Sequence, residues 1–440
     1  MFSAIDKINT QYSGIQRFIL MILFPLFEVK DISYFTQSPV YQLYKCGKDV
    51  FYRFINNPEI NWRKISFSVT KQLIKRVEKQ SETTENEQIK CIIVDDTDLP
   101  KRGRCFELVS RIYSHVTHRH NLGFKGLFLG YHDGKSFFGL DFSLHGEKGK
   151  KGDYGLSKKE TKNRFSKKRD ENSFGKVREN EYFKSKIEMM ISMLKSAISQ
   201  GIRFDYLLVD SWFTCFEIVN FIKKRKIKCH FLGMLKNGNT KYHINGKDLT
   251  VKEILHNLKH SKKMSYSKKL HCWFYEQTVD FKGIKVKLFF CRTTKRGKWN
   301  CLLTTNCELK FEKAYEIYAT RWCIEVFFKE CKQLLRLGKC ESQDFDAQIA
   351  ATTLCMLQFN LLSAVKRLEN YESLGALFRH TKSETLEQTV KERIWLIITQ
   401  IVAKIEKYFN FDSDFIIENI IADNEELTNI LNFKTLLQAA

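Results

Sequence analysis

Two short runs limit what this chain can fold into. "KCIIVDD" (90–96) and "FDYLLVDS" (204–211) each carry consecutive apolar residues with no polar alternation, and each ends in an aspartate. A strand wetted on one face alternates, so continuous apolar runs of this length read as strands covered on both faces. Strands of that kind belong to α/β sheets flanked by helices. The carboxyl ends of neighbouring parallel strands share one sheet edge, where sites form. Asp95 and Asp210 are therefore expected at one edge. Two bare carboxylates that close repel each other, and a divalent cation removes that cost. Either aspartate alone also serves as a helix cap or turn residue.

The rest of the chain is organised around these strands. Residues 1–88 are mostly helical in pattern: "VYQLYKCGKDVFYRFINNPEINWRKI" has apolar residues at helical spacing and an Asn-Asn-Pro break. "FILMILFPLF" (18–27) is too short to span a bilayer and is interrupted by Pro25, so it reads as a buried helix. "KQSETTENEQ" reads as a linker. "KGLFLGYHDGKSFFGLDFSL" reads as a hairpin turning at His132, Asp133 and Gly134. The Lys-, Gly- and Ser-rich stretch 148–176 reads either as a solvated, mobile loop or as an arm that grips phosphates, and it can be both. A helix (182–200), the second strand, a basic helix and the strand "CHFLGML" follow. From about 240 to 305 the patterning is β-rich. Residues 311–338 are helical, and helices are expected to continue to the end.

The formal net charge is +23, with a pI of about 9.4. That excess suits a polyanion, either nucleic acid or an anionic membrane surface. None of the 13 cysteines forms a CxxC pair, which argues against zinc ribbons and thioredoxin-like sites. Cysteines set in apolar runs read as reduced core residues, and a reducing, cytoplasmic compartment is expected.

"YATRWCIEVFFKECK" (318–332) mixes charge with bulky apolar groups. At about 100° per residue, Tyr318, Arg321, Glu325 and Lys332 fall within a sector of about 60°. Ile317, Ile324, Phe327, Phe328, Cys331, Leu334 and Leu335 fill the adjoining arc, which faces the core. The polar stripe then lies at the rim, aimed into a cleft. Arg321 and Glu325, four residues apart, also fit a plain surface ion pair.

Two strand-end acids followed by a helical acid resemble the Asp-Asp-Glu triad of ribonuclease H-like transposases. The helix reads Y-x2-R-x3-E-x6-K, which resembles the signature of the insertion-sequence-four family of cut-and-paste transposases. "YRFINNPEI", "VDDTDL" and "KWNCLLTTN" are similar to that family's N-terminal helical domain, first-acid motif and last insertion strand. The resemblance covers roughly residues 45–345. It implies an N-terminal helical DNA-binding domain (1–88), a ribonuclease H-like mixed-sheet catalytic domain (89–375) with a β-rich insertion at about 236–305, and a C-terminal helical region (376–440). It implies Asp95, Asp210 and Glu325 as the catalytic and metal-holding residues, with two Mg²⁺ or Mn²⁺ ions per site. It implies Tyr318, Arg321, Lys332 and Trp299 as DNA contacts, with Trp299 stacking on a flipped base; a plain core role fits Trp299 equally. The partners it implies are double-stranded DNA, as terminal inverted repeats and target, and a second copy of the chain in a synaptic homodimer. No membrane partner is expected, and a nucleoid-associated cytoplasmic location in a prokaryote is.

Other candidates have plainer readings. His115, His118 and His120 lack a Cys or acid at ligand spacing and read as phosphate contacts or surface residues. Asp96 and Asp98 flank Asp95. Trp212 reads as packing. Arg102 and Arg104 read as a solvated turn or as DNA contacts.

Overall fold

The computed structural model describes residues 13–25, 29, 31–38, 41, 45–81, 88–224, 228–261, 264–294, 296–368, 371, 373–377, 399–405 and 407. Among the described residues four helices come first: α1 (Gly14–Leu23), α2 (Ile32–Phe35), α3 (Lys48–Ile55) and α4 (Trp62–Ser81). The apolar run near the start forms the buried α1, as expected, and Asn56, Asn57 and Pro58 separate α3 from α4. Strands β1 (Cys91–Pro100), β2 (Ser110–Ser114), β3 (Arg119–His132) and β4 (Phe137–His145) follow. Next come α5 (Lys158–Lys162), α6 (Phe174–Tyr182), α7 (Lys186–Ser199), β5 (Tyr206–Val209), α8 (Phe216–Lys224) and β6 (His230–Leu235). A β-rich segment contains β7 (Lys241–Ile244), β8 (Lys247–Thr250), α9 (Val251–Ser261), β9 (Ser265–Ser267), β10 (Cys272–Phe281), β11 (Ile284–Arg292) and β12 (Asn300–Thr304). Then α10 (Phe311–Ala319), α11 (Trp322–Leu334) and α12 (Phe345–Leu368) close the described core. The helical region expected over 376–440 falls largely outside the described residues.

The strands join one mixed sheet. β4, β3 and β1 pair antiparallel, and β1, β5 and β6 pair parallel. This is the strand order and direction of a ribonuclease H-like core. β12 adds antiparallel to β6, and β11, β10, β7 and β8 extend the sheet outward, so the β-rich segment is an outgrowth of the core sheet. β2 and the start of β3 form a short ladder around His115–His118 that the basic texture of "SHVTHRH" hides.

Helix α12 lies on β4 with little between the backbones. A Cβ at Gly139 would meet Met356 Cγ at 2.5 Å, so only glycine permits this approach. Asn360 closes the contact: Gly139 N–H donates to its Oδ1 (2.8 Å), and its Nδ2 donates to Gly139 C=O (2.7 Å) and Thr70 Oγ1 on α4 (2.9 Å). Among the described helices only α12 is long and apolar enough to cross a membrane, and it is a buried core helix. Fully satisfied polar groups such as Asn360 fix one packing of a buried surface.

The Lys-rich stretch is not a loose loop. Ser157 and Glu160 form a capping box that starts α5, and Ser173 caps α6. Between them, Arg169 is fully buried and bonds Glu107 (2.8 and 2.7 Å) and Asp346 (3.1 Å, from Nε to both oxygens). Lys167 reaches Asp344 (2.9 Å) and Asp346 (2.8 Å). The stretch is thus strapped to the start of α12, while Lys148, Lys150, Lys151 and Lys158 remain exposed. The expectation of a mobile loop is corrected here: its lysines and arginines split into a buried strap and an exposed basic face.

Candidate active site

Asp95 does not end its strand. β1 continues to Pro100 because the long β3 keeps pairing with it, from Asp95 opposite Phe128 to Pro100 opposite Gly123. What ends at Asp95 is the parallel pairing. Val94 pairs with Val209, and β5 stops there. Asp95 and Asp210 therefore follow a paired position on adjacent parallel strands, about one strand spacing (~4.8 Å) apart. The shared edge anticipated from the two apolar runs is present.

Asp210 is held by the turn that follows it. Its Oδ1 accepts the N–H of Trp212 (2.7 Å) and of Phe213 (3.3 Å), and its C=O accepts the Thr214 hydroxyl (3.1 Å). The turn role expected of Asp210 is thus met.

Glu325 is delivered from the other side by packing. Phe327 and Phe328 on α11 stack edge-on against Phe128, at centroid distances of 5.6 and 5.4 Å, and Phe327 meets Phe359 of α12 at 4.8 Å. Phe128 is the cross-strand partner of Asp95, so the contact that anchors α11 also sets its polar rim against the acids. Ile317, Ile324, Phe327, Phe328, Cys331 and Leu335 are buried as the periodicity requires. The single helix expected over 311–338 is instead two. α10 and α11 meet at Thr320 and Arg321, where N–H groups bond three residues back, Arg321 to Tyr318 (3.0 Å) and Ile324 to Arg321 (3.2 Å). The Thr320 hydroxyl donates to the Ile317 C=O (2.7 Å), which tightens that turn.

Arg321 stands at this joint. Its Nη1 lies 2.5 Å from Asp95 Oδ2 and 3.6 Å from Glu325 Oε1. One guanidinium nitrogen thus touches two of the three acids. Burial pushes the Asp95 carboxyl up to about 7, the Asp210 charge adds to this, and Arg321 opposes both. Burial also raises Tyr318 to about 12, with Arg321 pulling the other way and Asp210 and Asp95 adding to the rise. These mutual effects place Asp95, Asp210, Glu325, Tyr318 and Arg321 in one electrostatic cluster.

Three carboxylates at one edge are the donor set that hard divalent cations prefer. Burial and the Asp210 charge both disfavour the ionised Asp95 carboxyl, and a bound cation would favour it. Among the described residues, however, no three acidic, His or Cys side chains stand ready around an ion, and Arg321 fills the place between Asp95 and Glu325. The donors fit such a cation in kind, and the guanidinium must leave for them to close on it.

Lys332 reaches the same cleft from about two turns past Glu325 on α11. Its Nζ donates to Thr97 Oγ1 (2.6 Å), and burial lowers its pKa. Trp299 is just ahead of β12, two strands from β5, and does not touch the acids. Its ring packs on Tyr275 (5.4 Å), Arg292 Cζ sits over it at 4.4 Å, and its Nε1 is buried without a partner. His115 and His118 on an exposed turn and His120 at the start of β3 gather around the Tyr113 side chain, and they form no metal-ready group among the described residues. Arg102 is exposed, and Arg104 pairs with Glu160 at 3.4 Å.

One residue escaped the sequence reading and another is placed differently from it. Lys186, in the first turn of α7, bonds Asp96 Oδ2 (2.6 Å) beside Asp95. Trp212, read as packing, is 53% exposed, and the packing role belongs to the fully buried Phe213 next to it. The only signal was position: Trp212 lies two residues past a strand-end acid.

Comparisons with known proteins meet this geometry. Residues 41–230 match a family model described as DDE superfamily endonuclease, and residues 173–361 match one described as transposase DDE domain. Asp95 falls in the first match, Asp210 in both and Glu325 in the second. The two matched ranges together span the sheet and helices on which the three acids sit. No curated protein matches it. Among solved structures it is similar to a cryo-EM structure of a piggyBac transposase synaptic complex with hairpin DNA, at 12% identity and a TM-score of 0.40, over 93% of this chain and 75% of that one. A superposition at that level adds nothing to the topology seen directly.

Proposed function

We propose that this protein is a DNA transposase of the insertion-sequence-four kind, binding transposon ends and carrying out metal-dependent strand cleavage and strand transfer. The observation that carries the reading is the convergence of Asp95, Asp210 and Glu325 on one sheet edge, with Arg321 between two of them.

Asp95, Asp210 and Glu325 would hold the divalent ions, which when bound supply Lewis-acid chemistry for in-line displacement at phosphorus. The chain's own groups do the rest. Arg321 leaves the carboxylates for a phosphate beside the cut, trading one anion for another. Lys332, on the same rim, meets a neighbouring phosphate, and the Tyr318 hydroxyl donates to one. Phosphate contacts of this kind position the scissile bond and leave sequence choice to other surfaces. Joining two ends in one event calls for a second copy of the chain, so the working form is a dimer.

The test is nicking of supercoiled plasmid in Mg²⁺ or Mn²⁺. Wild type should nick, and Asp95→Asn, Asp210→Asn and Glu325→Gln should each abolish nicking while duplex binding persists. Binding without nicking in the wild type would make the protein a DNA-binding derivative. Nicking without strand-transfer products from its own ends would make it a nuclease of the same fold.

A further inference from the structure

β1 carries three acids within four residues, Asp95, Asp96 and Asp98, and the proposed site uses only the first. Successive side chains of a strand point to opposite faces. The contacts follow that alternation. Asp95 meets Arg321 at the head of α11, and Thr97 meets Lys332 further along it. On the other face Asp96 meets Lys186 of α7 at 2.6 Å, and Asp98 meets Lys125, its partner across the β1–β3 ladder. Asp96 is the closer neighbour of the site. Its N–H donates to Asp95 Oδ1 (2.8 Å), so the two carboxylates hang on one peptide unit, past the end of the pairing with β5. Lys186 is aimed by the capping box of Ser185 and Glu188 at the start of α7. Its Nζ also lies 4.3 Å from the Trp212 ring centroid, and the Trp212 N–H bonds Asp210 Oδ1. One ammonium thus borders Asp96 and the turn that holds Asp210, as the Arg321 guanidinium on the opposite face borders Asp95 and Glu325.

Carboxylates attract hard divalent cations whichever residue carries them, so donor chemistry does not choose between Asp95 and Asp96. Counter-charge does. An ammonium 2.6 Å from Asp96 satisfies that carboxylate and repels a second cation, whereas a bare Asp96 draws one to the wrong face of β1. The contrast with Lys332 supports this role. Lys332 bonds a neutral hydroxyl and keeps its charge for a phosphate, while the charge of Lys186 is taken up by Asp96. We propose that Lys186 is a positioning residue that withholds Asp96 from a divalent ion and leaves Asp95 as the β1 carboxylate that takes it. The inference rests on the reading of Asp95, Asp210 and Glu325 as ion-holding residues and adds how one of two adjacent aspartates is selected.

The experiment titrates Mn²⁺ into the full chain without DNA, follows the free-ion electron paramagnetic resonance signal, and measures nicking of supercoiled plasmid in parallel. Lys186→Met keeps the stem and frees Asp96. It should bind Mn²⁺ about tenfold more tightly than wild type and yet nick about tenfold more slowly, because the ion is drawn from Asp95 to Asp96. A loss of packing alone would not tighten Mn²⁺ binding. Lys186→Arg keeps the charge and should leave the Mn²⁺ affinity at the wild-type value. Lys186→Met combined with Asp96→Asn removes the guard and the guarded carboxylate together, and should bring both readouts back to within about threefold of wild type. A Mn²⁺ affinity unchanged or weaker in Lys186→Met, or nicking at the wild-type rate, overturns the proposal. So does a double variant that still binds like the single one, which would put the effect in the lysine charge alone. A wild type that binds Mn²⁺ but never nicks removes the DNA-processing reading, and the affinities still decide the role of Lys186. No Mn²⁺ binding by any of the proteins removes the ion-holding reading and this proposal with it.

Discussion

Arg321 Nη1 and Asp95 Oδ2 meet at 2.5 Å, joining residues 226 positions apart in the chain. The same nitrogen is 3.6 Å from Glu325 Oε1. The guanidinium therefore does for these two acids what a cation would do: it offsets their repulsion at a partly buried position. If the acids hold a divalent ion as proposed, it and the guanidinium compete for one place. Arg321→Gln should bind Mn²⁺ more tightly than wild type in the absence of DNA, because nothing charged has to be displaced. The same variant should bind duplex DNA more weakly. The loss of the free Mn²⁺ electron paramagnetic resonance signal on titration reads the first effect. Equal Mn²⁺ affinity in the two proteins would mean that Arg321 does not obstruct the ion.

Lys332 gives a separable prediction. Its ammonium is steered by Thr97 on β1, across the cleft from α11. If it meets a phosphate, Lys332→Ala should weaken duplex binding at all sequences alike and flatten the salt dependence by about one counterion. Thr97→Val keeps the charge and removes only the steering bond, so its salt slope should stay at the wild-type value. Binding measured across a salt series decides this, and an unaltered slope in Lys332→Ala would take the lysine off the DNA path.

The parts of this site that the sequence reveals are those that depend on local pattern. The two apolar runs require covered strands, and the period of α11 sorts Glu325 from Phe327 and Phe328. What stays hidden depends on distant partners. "DDTDL" looks too polar to continue a strand, yet Asp96, Thr97 and Asp98 each meet a lysine brought in by another element, respectively Lys186, Lys332 and Lys125. The helix break at Thr320 is invisible because both joint residues keep right-handed helical backbone angles. Arg169 looks like one more surface cation, since apart from Glu179 its acids lie about 60 residues before it and about 175 after it.

The strap around Arg169 should matter to stability. Burial pushes the Glu107 carboxyl up, but hydrogen bonds from Arg169 and from the Phe345 N–H hold it below its ordinary value. Arg169→Ala would leave Glu107, Asp344 and Asp346 in a buried pocket with Lys167 as the nearest cation. Removing one partner of a buried ionic network typically costs about 3–5 kcal/mol. Urea unfolding should show a loss of that order, and a loss below about 1 kcal/mol would mean that the acids find water or protons instead.

The last prediction concerns pH, through Lys101, the residue after β1. Its Nζ donates to the carbonyls of Gly338 (2.9 Å) and Cys340 (2.8 Å), in the segment following α11. It therefore fastens the strand that carries Asp95 to the helix that carries Glu325. Burial lowers its pKa from 10.5 to about 8, with the Lys339 charge adding to the fall and Cys340 opposing it. Below the folded value both native and unfolded chains carry the charge, and the cost of burying it is fully present. Between the folded and unfolded values the native protein gives up the proton while the unfolded chain keeps it, so this group's contribution to stability rises with pH across that window. Lys101→Met keeps the stem, drops both hydrogen bonds and removes the titration. Wild type should therefore gain on the variant as pH climbs through the window, a difference in which all other ionisations cancel. Paired urea melts at neutral pH and above the window measure it. A gap that stays constant, or narrows as pH rises, would show that Lys101 keeps its proton in the folded protein.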